Sequence, residues 1–311
     1  VARPDNPRFH GFLPIDKPAG LTSHDIVSRV RRLTRQRTVG HAGTLDPAAT
    51  GVLPVALGMA TRVLPFAADS SKTYRAEITF GIETDTLDAD GVVVRQTDAD
   101  VSLHDIEAVL ASWIGTRAQI APKYSALQVG GRRLYDLARS GIEFEAPVRE
   151  VEFFELTVIG FAPPVLTLCI DCGSGTYIRS LARDLGDALG VAAHLSDLVR
   201  LRSGAFTLDD CWTLDQLSEM PLEEVWPSIA YHPDVMLNHL PAAILDEAGL
   251  SRWQRGQRIE SAESMPVGLL RVYTTWGEWI GIGDIESGSE RSIQPRRVID
   301  TASDDTSLVT R

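Results

Sequence analysis

Apolar positions recur along the chain in two different periods. Over 72–81 they alternate, with Tyr74, Ala76, Ile78 and Phe80 on one side, which predicts a half-buried strand. Residues 11–15 read as a short apolar strand running into the turn cluster Asp16, Lys17, Pro18, Ala19, Gly20. Thr22 or Ser23 then caps a helix whose Ile26, Val27, Val30 and Leu33 fall at helical spacing. Ser102, with Asp105 three residues on, opens a second helix that turns Ile106, Val109, Leu110 and Trp113 inward. Residues 92–94 are expected to pair with the 72–81 strand across the turn at 88–91. Strands are predicted over 151–161 and 165–171. Ile178, Leu181, Ala182, Leu185 and Leu189 mark a helix that Gly190 ends.

Helices and strands are interleaved without repeating βαβ units. The expected class is α+β, with a mixed, largely antiparallel sheet flanked by helices. A break near His232 and Pro233 divides the chain into 1–235 and 236–311. The second part is expected to hold a short helical stretch over 240–257 and strands over 269–273 and 279–285. That makes a small β-rich domain, with its last ten residues polar and frayed.

Composition narrows the function classes. With 44% hydrophobic and 23% charged residues among 311, the chain has ample material for a core and is not intrinsically disordered. The best membrane candidate, 51–60, is too short and is broken by Pro54. No signal peptide is read at the N-terminus, so a cytoplasmic protein is expected. Cys169, Cys172 and Cys211 are too few for a disulfide framework. The lone C-x-x-C lacks the further ligands that zinc needs, so buried thiols are expected. The net charge of −12 is unevenly spread: residues 1–75 carry +6, 76–239 carry −15 and 240–311 carry −3. Arg29, Arg31, Arg32, Arg35 and Arg37 crowd into the basic end. They form either a polyanion-binding patch or a solvated helix face.

Three segments could carry chemistry. The loop 40–51 is rich in glycine but lacks Gly-Lys-Ser/Thr, so it is no nucleotide P-loop. It presents one carboxylate, Asp46, which Pro47 biases toward extended geometry. From its residues alone this is either an Asp-Pro turn or a reactive carboxylate. The turn at 88–91 fails as a calcium loop, because Thr86 and Thr97 stand where acids are wanted. The Gly-rich turn 173–176 leads into a helix, which sets Tyr177 and Arg179 at a helix N-terminus. The seven histidines form no Ser/His/Asp order and no metal cluster.

Taken together, these segments resemble the bacterial TruB family of tRNA pseudouridine synthases. The likeness runs from Gly11 to about Arg202. It rests on the opening strand with its Lys-Pro-x-Gly motif, the loop 40–51, and Lys72-Thr73-Tyr74. It continues through Gly81, Thr84-Asp85-Thr86, Asp88 and Gly91, the block 122–139, the turn 175–179, Asp184-Leu185-Gly186, His194 and Leu198. The chain departs from the family pattern at Ala42, Ala48, Ser174 and Val199.

The resemblance implies a pseudouridine synthase-like catalytic domain over 1–235 and a PUA-like RNA-binding domain over 236–311. It implies isomerisation of the T-loop uridine of tRNA, with no cofactor and no metal, since the reaction needs no outside oxidant or reductant. Asp46 would be the nucleophile, Arg179 its partner, and Tyr74 the residue that stacks on the flipped-out base and moves the C5 proton. His41 would fill the space the displaced nucleotides leave, while Tyr177 and Leu198 would wall the base pocket. Lys17 is taken as a substrate contact. Arg29 and Arg32 are candidate phosphate contacts read from charge alone. The expected partner is the T-arm of tRNA, with no membrane, no obligatory protein partner and a monomeric state. The alternatives are an RNA-guided synthase, and a tRNA-folding helper in which catalysis is secondary. The PUA-like part either grips the acceptor side of the arm or only packs against the rest.

Overall fold

The computed structural model describes residues 8–67, 70–125, 127–140, 142, 144–261, 265–287 and 291–299. The expected fraying of the last ten residues lies outside this set. The larger sheet runs in the order Gly11–Lys17, Thr50–Leu57, Ala193–Ser203, Lys72–Phe80, Val165–Cys172, Val148–Ala162, Gly115–Ile120. Every neighbouring pair on this path is antiparallel except Thr50–Leu57 with Ala193–Ser203. The fold is thus α+β with a mixed, largely antiparallel sheet.

The alternation in Lys72–Phe80 does what its period dictates. Lys72, Tyr74, Ala76, Ile78 and Phe80 are buried, and the residues between them face outward. Helices Leu103–Ala111 and Ile178–Leu189 cover that face through Ile106, Leu110, Ile178, Leu181 and Leu185. Thr22 caps helix Ser23–Thr34 in a reciprocal box: its hydroxyl accepts from the Asp25 N–H, and the Asp25 carboxylate accepts from the Thr22 N–H. Cys172 is buried and its thiol is pushed up to about 12 by burial, so it stays unreactive; Cys169 is half-buried.

Two expectations are corrected, and one further element is found. Residues 92–94 do not extend the Lys72–Phe80 strand's sheet. Val93–Gln96 pairs instead with Ile82–Thr84 in a separate two-stranded ribbon, because Val165–Cys172 and Ala193–Ser203 already occupy both edges of Lys72–Phe80. The apolar run around Pro54 is a strand, Thr50–Leu57. Pro54 lies opposite Pro14, and at this pair both carbonyls point away from each other, toward the Ala42 and Trp212 N–H groups. The absent proline N–H groups therefore leave no gap in the ladder between the two strands. The stretch 240–257 is not wholly helical. Ala242–Leu245 is a strand, and the helix Glu247–Gln254 starts only after the Asp246 cap.

Ala242–Leu245 edges a second sheet, completed by Gly268–Thr274, Trp279–Ile285, Ser292–Val298 and Ile259–Glu260. The break near His232 is not an open linker. Trp279, Ile282 and Ile299 share an apolar cluster with Phe12, Met59 and Phe206 of the first part.

Gly51 marks the tightest approach in the larger sheet. Its φ is +99°, and a Cβ there would lie 2.3 Å from the Arg200 carbonyl oxygen. Gly20 has a similar φ of +82° but open space around it. Gly20→Ala should cost about 1 kcal/mol in urea unfolding, from backbone strain alone. Gly51→Ala should cost about 3 kcal/mol or more, because strand Ala193–Ser203 must move. Equal losses would show that the close approach contributes nothing.

Candidate active site

The loop that carries Asp46 is pinned on every side. The Ser23 hydroxyl accepts from the Leu45 N–H (2.9 Å) and donates to the Leu45 carbonyl (3.0 Å). The Gly20 N–H donates to the Pro47 carbonyl. The buried Arg200 guanidinium donates to the carbonyls of Val52, Gly43 and Thr44 at 2.7, 3.1 and 3.4 Å. Arg200 reaches them because the parallel pairing sets it beside Gly51.

Arg179 stands in the first turn of helix Ile178–Leu189 and comes to Asp46 from the other side. Its Nε is 3.0 Å from the Asp46 carboxylate, and its Nη1 is 3.4 Å from that of Asp88. The carbonyls of Thr86 and Tyr124 accept from its Nη1 and Nη2. Arg179 is 8% exposed and rigidly held, whereas Asp46 is 45% exposed. Burial still pushes the Asp46 carboxyl above the ordinary range. Arg179 opposes that rise, and the negative charge of Asp88 adds to it.

These groups surround a cavity of about 290 Å³, walled by Asp46, Tyr74, Tyr177, Arg179, Leu198 and Arg200 among others. Burial raises the Tyr74 phenol, with Arg200 opposing, so the hydroxyl keeps its proton at neutral pH. Gln119 fixes the Tyr177 backbone from both sides, accepting from its N–H (2.9 Å) and donating to its carbonyl (3.1 Å).

Five of the expected site residues therefore meet: Asp46, Tyr74, Tyr177, Arg179 and Leu198. The others do not line the cavity. His41 ends the strand before the loop, and burial beside Arg200 lowers its imidazole, which stays neutral at neutral pH. Lys17, expected at the substrate, is instead fully buried. Its ammonium donates to the carbonyls of Pro18 (2.9 Å) and Pro47 (3.1 Å), so it braces the loop. Arg29 and Arg32 are exposed on helix Ser23–Thr34. Arg31 turns back onto the Val39 carbonyl at 2.8 Å.

Two residues escaped the sequence reading. Asp88 reads in the sequence only as a turn residue and a position of the family likeness, and only the tertiary fold brings that turn to Arg179. Arg200 carried a usable signal, since it follows Leu198 by two residues and so shares its face of the strand. Among the described residues, no group of three or more His, Cys, Asp or Glu could hold a metal ion.

Comparison with known proteins finds relatives over most of the chain. A model for the N-terminal domain of TruB family pseudouridylate synthases matches residues 31–178. Models for a tRNA pseudouridylate synthase B C-terminal domain and a pseudouridine synthase II TruB C-terminal region match 179–229 and 241–299. The tRNA pseudouridine synthase B of Trichormus variabilis is 44% identical over 286 residues, covering 90% of this chain and 96% of its own. That of Xanthomonas oryzae is 42% identical, covering 92% and 93%. Among solved structures, a chain of a Cbf5–Nop10–Gar1 complex superposes with a TM-score of 0.74 at 25% identity, covering 93% of this chain and 84% of that one.

Proposed function

The chain belongs to the TruB family of pseudouridylate synthases, and from that membership we propose that it converts a uridine of tRNA, the T-loop uridine, to pseudouridine. One observation carries the reading at the level of residues. A reachable carboxylate, Asp46, is held 3.0 Å from a buried guanidinium at a cavity walled by two tyrosines and a leucine. The isomerisation breaks the bond from ribose C1′ to N1, forms one to C5, and moves a proton from C5 to N1. No external reductant or cofactor enters that balance.

In this reading Asp46 is the nucleophile that carries the nucleotide while the base turns. Arg179 keeps the carboxylate charged and aimed. Tyr74 faces the flipped base; because its hydroxyl keeps its proton, it can take the C5 proton only as a relay, passing its own proton on as it accepts. Tyr177 and Leu198 bound the base, and His41 occupies the space that the displaced nucleotides vacate. Arg29 and Arg32 meet backbone phosphates. Residues 1–235 perform the chemistry and 236–311 form the PUA-like part. The protein acts on the T-arm as a cytoplasmic monomer without an obligatory protein partner.

Tritium release from a tRNA transcript labelled at uridine C5, with purified protein alone, tests this directly. Stoichiometric release is expected. Binding without release would overturn it in favour of guided modification or folding assistance.

The carboxylate pair gives a pH prediction. Asp88→Asn removes the like charge that raises Asp46, so the acid limb of kcat/KM should move to lower pH. The plateau should fall about tenfold, because Arg179 loses one of the two carboxylates that fix it. An acid limb that moved upward would contradict the assignment.

A further inference from the structure

The cations within the cavity region are already engaged. Arg179 faces two carboxylates and two carbonyls. Arg200 binds three loop carbonyls, and Lys17 binds those of Pro18 and Pro47. Lys72 donates to the Ser70 carbonyl. All four side chains are less than a tenth exposed. A nucleotide whose base enters the cavity still brings flanking phosphates, and these remain at its lip.

One guanidinium stands there with its donors open. Arg149 lies on strand Val148–Ala162, directly opposite Gln119, the residue that fixes the Tyr177 wall. It shares a face of the strand with the buried Val151 and Phe153, while Glu150 and Glu152 alternate onto the other. Its guanidinium rests on the turn before helix Ile178–Leu189: a Cβ at Gly175 would lie 3.4 Å from Nη1 and 3.6 Å from Cζ. Gly175, at φ +77°, is thus both the turn residue and the bare surface against which the guanidinium lies. Arg149 is exposed, and its side chain forms no hydrogen bond or ion pair with any described residue.

We infer that Arg149 is a substrate contact, its guanidinium taking a backbone phosphate of the RNA strand next to the target uridine. The inference rests on the reading of the protein as a uridine-modifying enzyme. The planar fork suits a phosphate. Such a contact holds the strand at the lip and carries no sequence information. A structural brace on the 173–176 turn would predict different behaviour, and the two separate cleanly in salt.

The test compares wild type, Arg149→Gln and Arg149→Lys in tRNA binding between about 50 and 200 mM salt, and in tritium release from the labelled transcript. For Arg149→Gln the salt slope of log K should shrink by about one. The loss should fall on KM rather than kcat. Arg149→Lys should restore the slope while recovering only part of the affinity. An unchanged slope in Arg149→Gln overturns the inference, whether or not kcat falls. Wild type that binds tRNA but releases no tritium overturns the enzymatic reading instead, and the binding slopes still decide whether Arg149 meets a phosphate.

Discussion

Replacing Asp46 by Asn is expected to lower tritium release from tRNA by about 10,000-fold or more, the scale seen when a covalent nucleophile is removed. Asparagine keeps the shape of the side chain and one oxygen to accept from Arg179. It cannot supply a negatively charged oxygen that attacks and then leaves. The scaffold should hold, because Arg179 retains Asp88 and the carbonyls of Thr86 and Tyr124. The loop retains its ties from Ser23, Lys17 and Arg200. Binding to tRNA should remain within a few-fold of wild type or tighten, since a negative charge leaves a surface that meets a polyanion. Thermal unfolding, binding anisotropy and release, measured on the same preparation, separate these effects. Release above about one hundredth of the wild-type rate would mean that another group makes the first bond.

What could be read from the chain follows from the range of the forces involved. Period-two alternation is local, so the buried face of Lys72–Phe80 was legible, with Tyr74 correctly on it. Capping is local too, and Thr22, Ser102 and Gly190 announced their helix ends. The meeting of Asp46 with Arg179 was not contained in either segment. It came from the family likeness, because 133 residues separate them and only the sheet order brings them together. Asp88 was missed for the same reason. Lys17 was misread because a lysine before a proline turn gives no local sign of burial. It can be fully buried only because two carbonyls accept from its ammonium, and the second comes from a loop 30 residues away. Pro54 stands in a strand for a reason the sequence does not show. A proline argues against a central strand, except where the partner position needs no donor, and Pro14 across the ladder supplies that circumstance.

Arg179→Gln should have the second largest effect, with a signature in pH that the Asp46 substitution lacks. Burial and Asp88 both raise the Asp46 carboxyl, and Arg179 is the strongest influence opposing them. Without it Asp46 faces Asp88 with no guanidinium between, and its pKa must climb further. The rate should fall by about 100- to 1,000-fold near neutral pH. The acid limb should move upward, so that the deficit narrows as the pH rises. Stability responds with the opposite sign. A carboxyl raised on folding binds its proton more tightly in the folded state than in the unfolded one. The stability it contributes is therefore greatest in acid and declines as the pH rises from the unfolded pKa through the folded one. Arg179→Gln widens that window, so its loss in Tm should be larger at neutral pH than in mild acid. Adding Asp88→Asn to Arg179→Gln removes the remaining like charge. The double variant should recover stability at neutral pH and bring the acid limb back down, while its plateau rate stays low because nothing re-aims the carboxylate. A double variant no more stable than Arg179→Gln, with an unmoved limb, would show that the two carboxylates do not feel each other across the guanidinium.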